Sequence, residues 1–233
     1  MTPGTGLGAL LVVGLGGLSG QPPATGPLPI VQLRVFAHAT MDGPALEVAK
    51  SASRRLLEPA GIGTEWRNCS GGEDTCTQPD TATQVIVLLM PIAKWTGDEV
   101  SAEVLHGPST PVPTVLVYMP NLTDRLRTVQ QSGAGRSNPA LATLQLGDLV
   151  GLAIAHEIGH AFGLGHTSSG VMKKRIAPGD LLALATSRLA FSAREAAVLR
   201  QSVATGTSLA HSERGNRAKG TSNGGRGSRD TTY

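Results

Sequence analysis

The stretch HEIGHAFGLGH, residues 156–166, places three histidines and one glutamate in an otherwise apolar and glycine-rich run. His156 and His160 are four residues apart, so on a helix their imidazoles lie on one face, one turn apart. That spacing allows two ring nitrogens to meet one zinc ion. Glu157 directly follows the first histidine, and from there its carboxylate can reach a water on the metal rather than the metal itself. The stretch therefore predicts a metal site with a proton acceptor beside it.

A glycine within the stretch is predicted to end the helix and return the chain. Gly163 stands three residues after His160, and glycine can adopt the left-handed conformation that ends a helix. The turn would bring His166 round as a third ligand. Three protein ligands leave the fourth zinc position to water, which is typical of a catalytic site. Zinc lowers the pKa of that water to roughly 7, and Glu157 can take its proton as it attacks a carbonyl.

The motif has to be weighed against histidines that only fill a core. A buried histidine is more often a hydrogen-bonded core residue than a ligand, and HExxH by itself is a weak signal. The five fixed letters of HExxHxxGxxH, however, would align by chance in this composition with a probability of roughly two in 100,000. Buried histidines and a buried glutamate also need polar partners, which a metal and its water would supply. We therefore predict Zn²⁺ as the cofactor, bound by His156, His160 and His166.

HEIGHAFGLGH resembles the extended zinc signature of the metzincin metallopeptidases. Met172, six residues after His166 in HTSSGVM, resembles the Met-turn that lies beneath the metal in that clan. The spacing and the GVM end are most similar to the matrixin-like members, and the region that follows is similar to small, uncharacterised bacterial metzincin-like proteins. The resemblance implies His156, His160 and His166 as ligands, Glu157 as the general base and Met172 as the Met-turn residue.

The resemblance is strong over residues 156–172 and looser elsewhere. Thr167 stands where matrixins usually have serine, and Lys174 stands where some metzincin families have a tyrosine ligand. The clan's fold implies an α+β domain with a twisted mixed sheet, an active-site helix and a C-terminal helical subdomain. In the clan an edge strand above the zinc pairs with the extended substrate, and residues 103–114 are the candidate here. His106 in this segment is interpreted as a surface residue rather than a substrate contact.

Hydrophobic patterns predict the strands that must position this stretch. Residues 31–39 alternate and are rich in β-branched side chains, which predicts the first strand. Residues 63–68 predict a short strand, and the continuous apolar run 84–90 predicts a central buried strand. Residues 114–119 predict another strand. Residues 91–113 are rich in Pro and Gly and are predicted to be irregular.

Three helices are predicted from periodicity and caps. The first follows Asp42, its candidate N-cap. A long helix begins at Pro139 or Gly147 and ends at Phe162, and because it is apolar almost all round we expect it to be buried. A capping box at residues 192–195 begins a helix near the end of the domain.

The ends of the chain differ in composition from its middle. Residues 1–26 contain no charged side chain, and their apolar run of 12 is long enough for a signal sequence but too short for a bilayer span. We predict a signal-like segment and linker at 1–26, a metzincin-like metallopeptidase domain at 30–208 and a basic disordered tail at 209–233. The protein is expected to be secreted or periplasmic, with an uncleaved N-terminal membrane anchor as the alternative.

The net charge of +3 belongs to the tail. Residues 211–233 hold five Lys/Arg and two Asp/Glu, so the rest of the chain is neutral. The high pI therefore gives no indication of a nucleic-acid surface on the domain, and we expect a monomer with a peptide or protein substrate, no nucleic-acid partner and no stable membrane span. The alternative, a tail that touches an anionic wall polymer or nucleic acid, is disfavoured because the tail lacks interleaved aromatic residues and also carries acids.

The two cysteines, Cys69 and Cys76, fall in the polar loop CSGGEDTC. A pair seven residues apart can close a small disulfide loop in an oxidising compartment. The spacing lacks the CxxC pairs of a structural zinc site. Two free surface thiols are the alternative.

These observations predict a zinc-dependent metalloendopeptidase that hydrolyses peptide bonds with a zinc-activated water and Glu157 as general base. The alternative is a non-catalytic zinc-containing peptide-binding protein of the same fold. Glu157 favours the enzyme, because a non-catalytic protein does not need a proton acceptor at that position.

Overall fold

The computed structural model describes residues 27–37, 41–69, 76, 83–94, 101–107 and 110–206. In chain order the elements are β1 (Ile30–Ala37), α1 (Gly43–Leu57), β2 (Gly63–Asn68), β3 (Thr83–Met90), β4 (Ala102–Gly107), β5 (Thr110–Tyr118), α2 (Met119–Gln131), α3 (Gly133–Ser137), α4 (Pro139–Ala142), α5 (Leu146–Ala161), α6 (Pro178–Ala185) and α7 (Ala193–Thr205). The signal-like segment and the tail predicted at the two ends lie outside the described residues. In the part of the chain that is described, no helix is long and apolar enough to cross a membrane.

The five strands form one mixed sheet in the order β2-β1-β3-β5-β4. The first four strands of that order are parallel to one another, and β4 pairs antiparallel to β5 at the edge. The predicted α+β class is confirmed, and the apolar run at 84–90 forms the central strand β3. Val85, Val87 and Leu89 alternate along β3 and are fully buried, because this face of the sheet belongs to the core shared with α5.

The prediction that residues 91–113 are irregular is wrong for two segments. β4 lies wholly within this stretch, and β5 begins at Thr110 rather than Thr114. Pro111 and Pro113 fit in β5 because they precede Thr114, where its pairing with β3 starts, so their missing N–H groups remove no bond between those two strands. At its N-terminal end β5 therefore pairs with β4 but not with β3. The two prolines in this short stretch argued against a strand when the sequence was read alone.

The predicted helix caps are present. The Asp42 carboxylate accepts a hydrogen bond of 2.8 Å from the Ala45 backbone N–H at the start of α1. At the start of α7 the Glu195 N–H donates to the Ser192 hydroxyl at 3.3 Å, and the Ser192 N–H donates to the Glu195 carboxylate at 2.6 Å. These bonds satisfy N–H groups that have no partner within the helix.

Of the two starts considered for the long helix, the later one is correct. Residues 139–142 form the separate helix α4, and α5 begins at Leu146. The Asp148 carboxylate closes the first turn of α5 by accepting from the Gln145 N–H at 3.0 Å, and it also forms an ion pair of 3.0 Å with Arg55 of α1. The start of the helix is therefore anchored to its neighbour.

Two glycines bring α5 and α1 into close contact. A Cβ atom at Gly147 would lie 2.5 Å from the Ala45 carbonyl oxygen, and one at Gly151 would lie 2.6 Å from the Ala49 carbonyl oxygen. The two backbones therefore approach more closely than any side chain would allow. This contact determines where α5 lies in the core, and hence where its C-terminal histidines lie. From the sequence alone, Gly147 is only a candidate start of the helix, and Gly151 has no evident role.

Gly151→Ala is expected to destabilise the protein, because the added methyl group would overlap the backbone of α1. Overpacking of this kind costs about 1–3 kcal/mol in the free energy of unfolding. Gly179→Ala in α6 is the matched control: its Cβ would meet nothing within 4 Å, so it should be neutral or slightly stabilising. Thermal unfolding followed by circular dichroism measures both, and an unchanged Tm for Gly151→Ala would contradict the close packing.

Cys69 and Cys76 form a disulfide with a Cα–Cα distance of 5.7 Å. The Cys69 N–H donates to the Val35 carbonyl at 2.8 Å, which attaches this end of the disulfide loop to β1. Disulfides of this kind persist in oxidising compartments.

Candidate metal centre

His156 and His160 lie in the last turns of α5, and His166 follows the turn after the helix. The Nε2 atoms of His156 and His160 are 3.0 Å apart, and those of His160 and His166 are 3.1 Å apart. One ring nitrogen from each residue lies within 4.8 Å of the other two, so the three are close enough to hold one metal ion. His156 and His160 are half-buried and His166 is exposed, so the centre is open to solvent on one side.

Backbone carbonyls orient two of the three imidazoles. The Nδ1 atom of His156 is 2.7 Å from the Val171 carbonyl oxygen, and the Nδ1 atom of His160 is 2.8 Å from the Leu164 carbonyl oxygen. A carbonyl only accepts, so each Nδ1 carries a proton and donates, and each Nε2 is directed towards the other histidines. Carbonyl partners of this kind orient imidazoles that bind zinc.

The converging lone pairs fit a bound cation. A neutral His156 protonated on Nδ1 has no N–H at Nε2, so this atom faces His160 with a lone pair. Burial lowers the pKa of His156 to about 4, against the effect of the Val171 carbonyl, and this keeps the ring neutral at pH 7. Nitrogens at about 2.0–2.1 Å from a tetrahedral zinc lie about 3.4 Å from one another. The three histidines therefore suit a zinc ion in both chemistry and spacing.

The turn after α5 depends on Gly163. The Leu164 N–H donates to the Gly159 carbonyl at 2.9 Å, and the Gly163 N–H donates to the His160 carbonyl at 3.1 Å, which is the Schellman pattern. Gly163 has φ +95°, in the left-handed region that favours glycine, as predicted. This turn brings His166 beside His160, and it also presents the Leu164 carbonyl to the His160 ring.

Met172 is fully buried beneath the C-terminal part of α5. A Cβ atom at Gly159 would lie 2.3 Å from the Met172 sulfur, so the methionine packs directly against the helix at this glycine. The Thr167 N–H donates to the Met172 carbonyl at 2.9 Å and closes the loop that presents the Val171 carbonyl to His156. Met172 thus packs against α5 between His156 and His160 and stabilises the loop that orients His156. The sequence had offered no indication of the parts played by Gly159 and Val171.

Glu157 is 6% exposed and lines the same cavity as the three histidines. Burial raises the pKa of its carboxyl to about 7, the charge of Glu103 adds to the rise, and the nearby backbone N–H of Val104 opposes it. A proton acceptor is most effective when its pKa lies near the working pH. The carboxylate is therefore held inside the cavity, beside the histidines, where it can exchange a proton with a bound molecule.

Glu103 on β4 is a residue of the site that sequence analysis did not identify. Its carboxylate accepts hydrogen bonds from the Lys94 ammonium and the Tyr118 hydroxyl. Burial favours the neutral acid, but these two partners hold the pKa of Glu103 below its ordinary value. Burial and Glu103 together raise the pKa of Tyr118 to about 12. The cluster joins β4 to the end of β5 and to the segment after β3, and so anchors the strand that borders the cavity.

The cavity has a volume of about 740 Å³ and contains the three histidines and Glu157. Residues 101–104 of the β4 segment form one border, and leucines of α2, α5 and α6 form an apolar floor. β4 is the last strand of the described sheet, so within that sheet one of its edges has no strand partner. Of the candidate segment 103–114, only the β4 part lies at this edge. His106 belongs to β4, and its side chain lies outside the described part of the structure.

Comparisons of the chain with protein-family models, with curated proteins and with solved structures gave no match.

Proposed function

We propose that the protein is a zinc-dependent metalloendopeptidase of the metzincin type. One observation carries the proposal: three imidazole Nε2 atoms converge on a solvent-open point, and the buried carboxylate of Glu157 lines the same cavity. Three protein ligands and one open position are typical of catalytic zinc. A site built only for stability has no use for a buried carboxylate beside the open position.

Each group of residues in the cavity has a separate role in the proposed peptide hydrolysis. A bound zinc ion would lower the pKa of a water in its fourth position to roughly 7 and polarise the substrate carbonyl. Glu157 takes a proton from the attacking water and returns it to the leaving amine. The carbonyls of Val171 and Leu164 keep two imidazoles in the orientation that binding requires. The unpaired edge of β4 is suited to hold an extended peptide by backbone pairing.

The metzincin assignment and the location of the protein are part of the same proposal. The helix with two histidines, the glycine turn, the third histidine and the buried Met172 follow one another in the order that the clan uses, and two further helices complete the C-terminal part. The disulfide between Cys69 and Cys76 supports a secreted or periplasmic protein, because such bonds are rare in reducing compartments.

Removal of the metal tests the function. We expect the purified protein to contain about one zinc per chain and to cleave members of a mixed peptide library. A chelator should abolish cleavage, and added zinc should restore it, because the histidines alone do not activate water. Elemental analysis and mass spectrometry of the peptides measure the two quantities. A protein that holds one zinc yet cleaves nothing would instead be the non-catalytic, zinc-containing peptide-binding protein.

A further inference from the structure

The segment directly after Met172 places three consecutive cations in the wall of the metal-site cavity. Lys173, Lys174 and Arg175 all line it, and Arg125 of α2 lines it as well. We call these four residues the basic wall. The acidic residues that line the cavity are Glu103 and Glu157, so positive side chains outnumber negative ones there by four to two. A bound zinc ion would increase this excess.

Neighbouring groups hold part of the basic wall in place. The Lys173 ammonium lies 2.7 Å from the Asp180 carboxylate, and the Arg125 guanidinium donates to the Ile176 carbonyl. Burial favours neutral Asp180, but Lys173, the Ala177 N–H and the charge of Arg125 hold the pKa of Asp180 below its ordinary value. Asp180 is therefore charged at neutral pH and offsets one of the four cations.

Lys174 lies in the wall of the cavity that contains the three histidines. Its side chain is exposed, and it lines the same cavity as His166. Among the described residues, no acidic side chain forms an ion pair with Lys174. Glu103 does not compensate it, because its carboxylate is bound by Lys94 and Tyr118.

We propose that the basic wall selects peptides with an acidic side chain, Glu or Asp, next to the bond that is cleaved. This inference rests on the proposed peptidase function and names the class of substrate that the same site would take. A carboxylate in the cavity is attracted by Lys174 and the rest of the basic wall, whereas a basic side chain there is repelled. The apolar floor, which includes Leu122, Leu149 and Leu181, suits the methylene carbons of such a side chain.

Matched peptides test the preference. In a peptide that the zinc-loaded protein cleaves, each position flanking the cleaved bond is made Glu, Gln or Lys, and kcat/KM is measured. We expect Glu to exceed Gln by about tenfold or more at one position, and Lys to fall below Gln. The preference should weaken in about 0.5 M salt, where charges are screened within about 4 Å. Equal values at every position would overturn the preference and leave the peptidase function standing, whereas no cleavage of any peptide would overturn both.

A charge reversal assigns the preference to the wall. Lys174→Glu should lower the ratio of Glu to Gln kcat/KM by about tenfold or more and favour the Lys peptide. The ratio is read within one protein, so it does not depend on total activity. Arg194→Glu is the matched control, since Arg194 is exposed on α7 and does not line the cavity, and it should leave the ratio unchanged. A ratio that Lys174→Glu does not alter would refute the assignment.

A binding measurement separates the wall from the metal. Fluorescence anisotropy of labelled Glu and Gln peptides on the zinc-free protein compares affinities without turnover. We expect the Glu peptide to bind more tightly to the zinc-free wild type, and this advantage to be lost in zinc-free Lys174→Glu. A Glu preference that disappears when zinc is removed would show that the carboxylate binds the metal itself, and would overturn the role of the basic wall.

Discussion

Glu157→Gln is expected to lower kcat/KM on a cleaved peptide by about 10³-fold while zinc remains bound. Transfer of a proton by a positioned carboxylate contributes about 10²- to 10⁴-fold to catalysis, and an amide cannot accept that proton. Glutamine has nearly the shape of glutamate, and Glu157 lies in a buried position beside Val104. The substitution should therefore leave the cavity and the three histidines in place.

Three measurements on Glu157→Gln distinguish a lost base from a lost site. Zinc content should stay at about one per chain, and the Tm should stay close to that of the wild type. Of the three quantities, only the rate of peptide cleavage should decrease. Glu47→Gln, at an exposed position on α1, is the matched control and should retain wild-type cleavage. Normal turnover by zinc-loaded Glu157→Gln would mean that another group removes the proton.

His160→Ala is expected to abolish zinc binding at working concentrations and cleavage with it. His160 would be the central ligand, because its Nε2 atom lies 3.0 Å from that of His156 and 3.1 Å from that of His166. Loss of a group that only orients a ligand already reduces metal affinity by about 10- to 100-fold, so the loss of a ligand should reduce it by about 100-fold or more. Zinc should also raise the Tm of the wild type, since a ligand of the folded state stabilises it, and should not raise that of the variant.

Competition with a coloured chelator measures the zinc affinity of His160→Ala, and thermal unfolding with and without zinc gives a second readout. His211→Ala, in the predicted tail, is the matched control and should keep the wild-type affinity. Equal zinc affinity in His160→Ala and the wild type would show that the metal binds elsewhere. Circular dichroism would show whether zinc-free His160→Ala is unfolded. In that case the zinc affinity of His166→Ala, a substitution at the exposed histidine, is compared with that of the wild type.

The core of the site could be predicted from the sequence because its geometry is local. Residues four apart on a helix lie on one face, so the spacing of His156 and His160 places both imidazoles on the same side. The helix must then end in a turn, and Gly163 has the left-handed φ of +95° that this turn requires. His166 follows within three residues of that turn, so few chain conformations separate it from the other two. The caps at Asp42 and at residues 192–195 were predictable for the same reason, since each bond spans three residues.

The strands were predicted less well, because pairing joins distant segments. β3 was evident from its continuous apolar run, whereas β4 and the first residues of β5 depend on each other. Neither has a strong pattern of its own, and Pro111 and Pro113 argue against a strand when read alone. Only the antiparallel pairing of the two segments shows that the Pro- and Gly-rich stretch includes an edge strand.

The sequence by itself determined the candidate ligands, the candidate base and the turn that joins them, since these follow from backbone geometry within residues 156–166. The tertiary structure decided what surrounds them. Glu103 approaches Lys94 and Tyr118 because β4 folds back on β5, and Arg125 joins the lysines after Met172 because α2 packs beside the cavity. These groups are far apart along the chain, and no spacing rule relates them. Packing of the sheet and helices brings their charges to the candidate metal site, and the substrate preference that we propose depends on those charges.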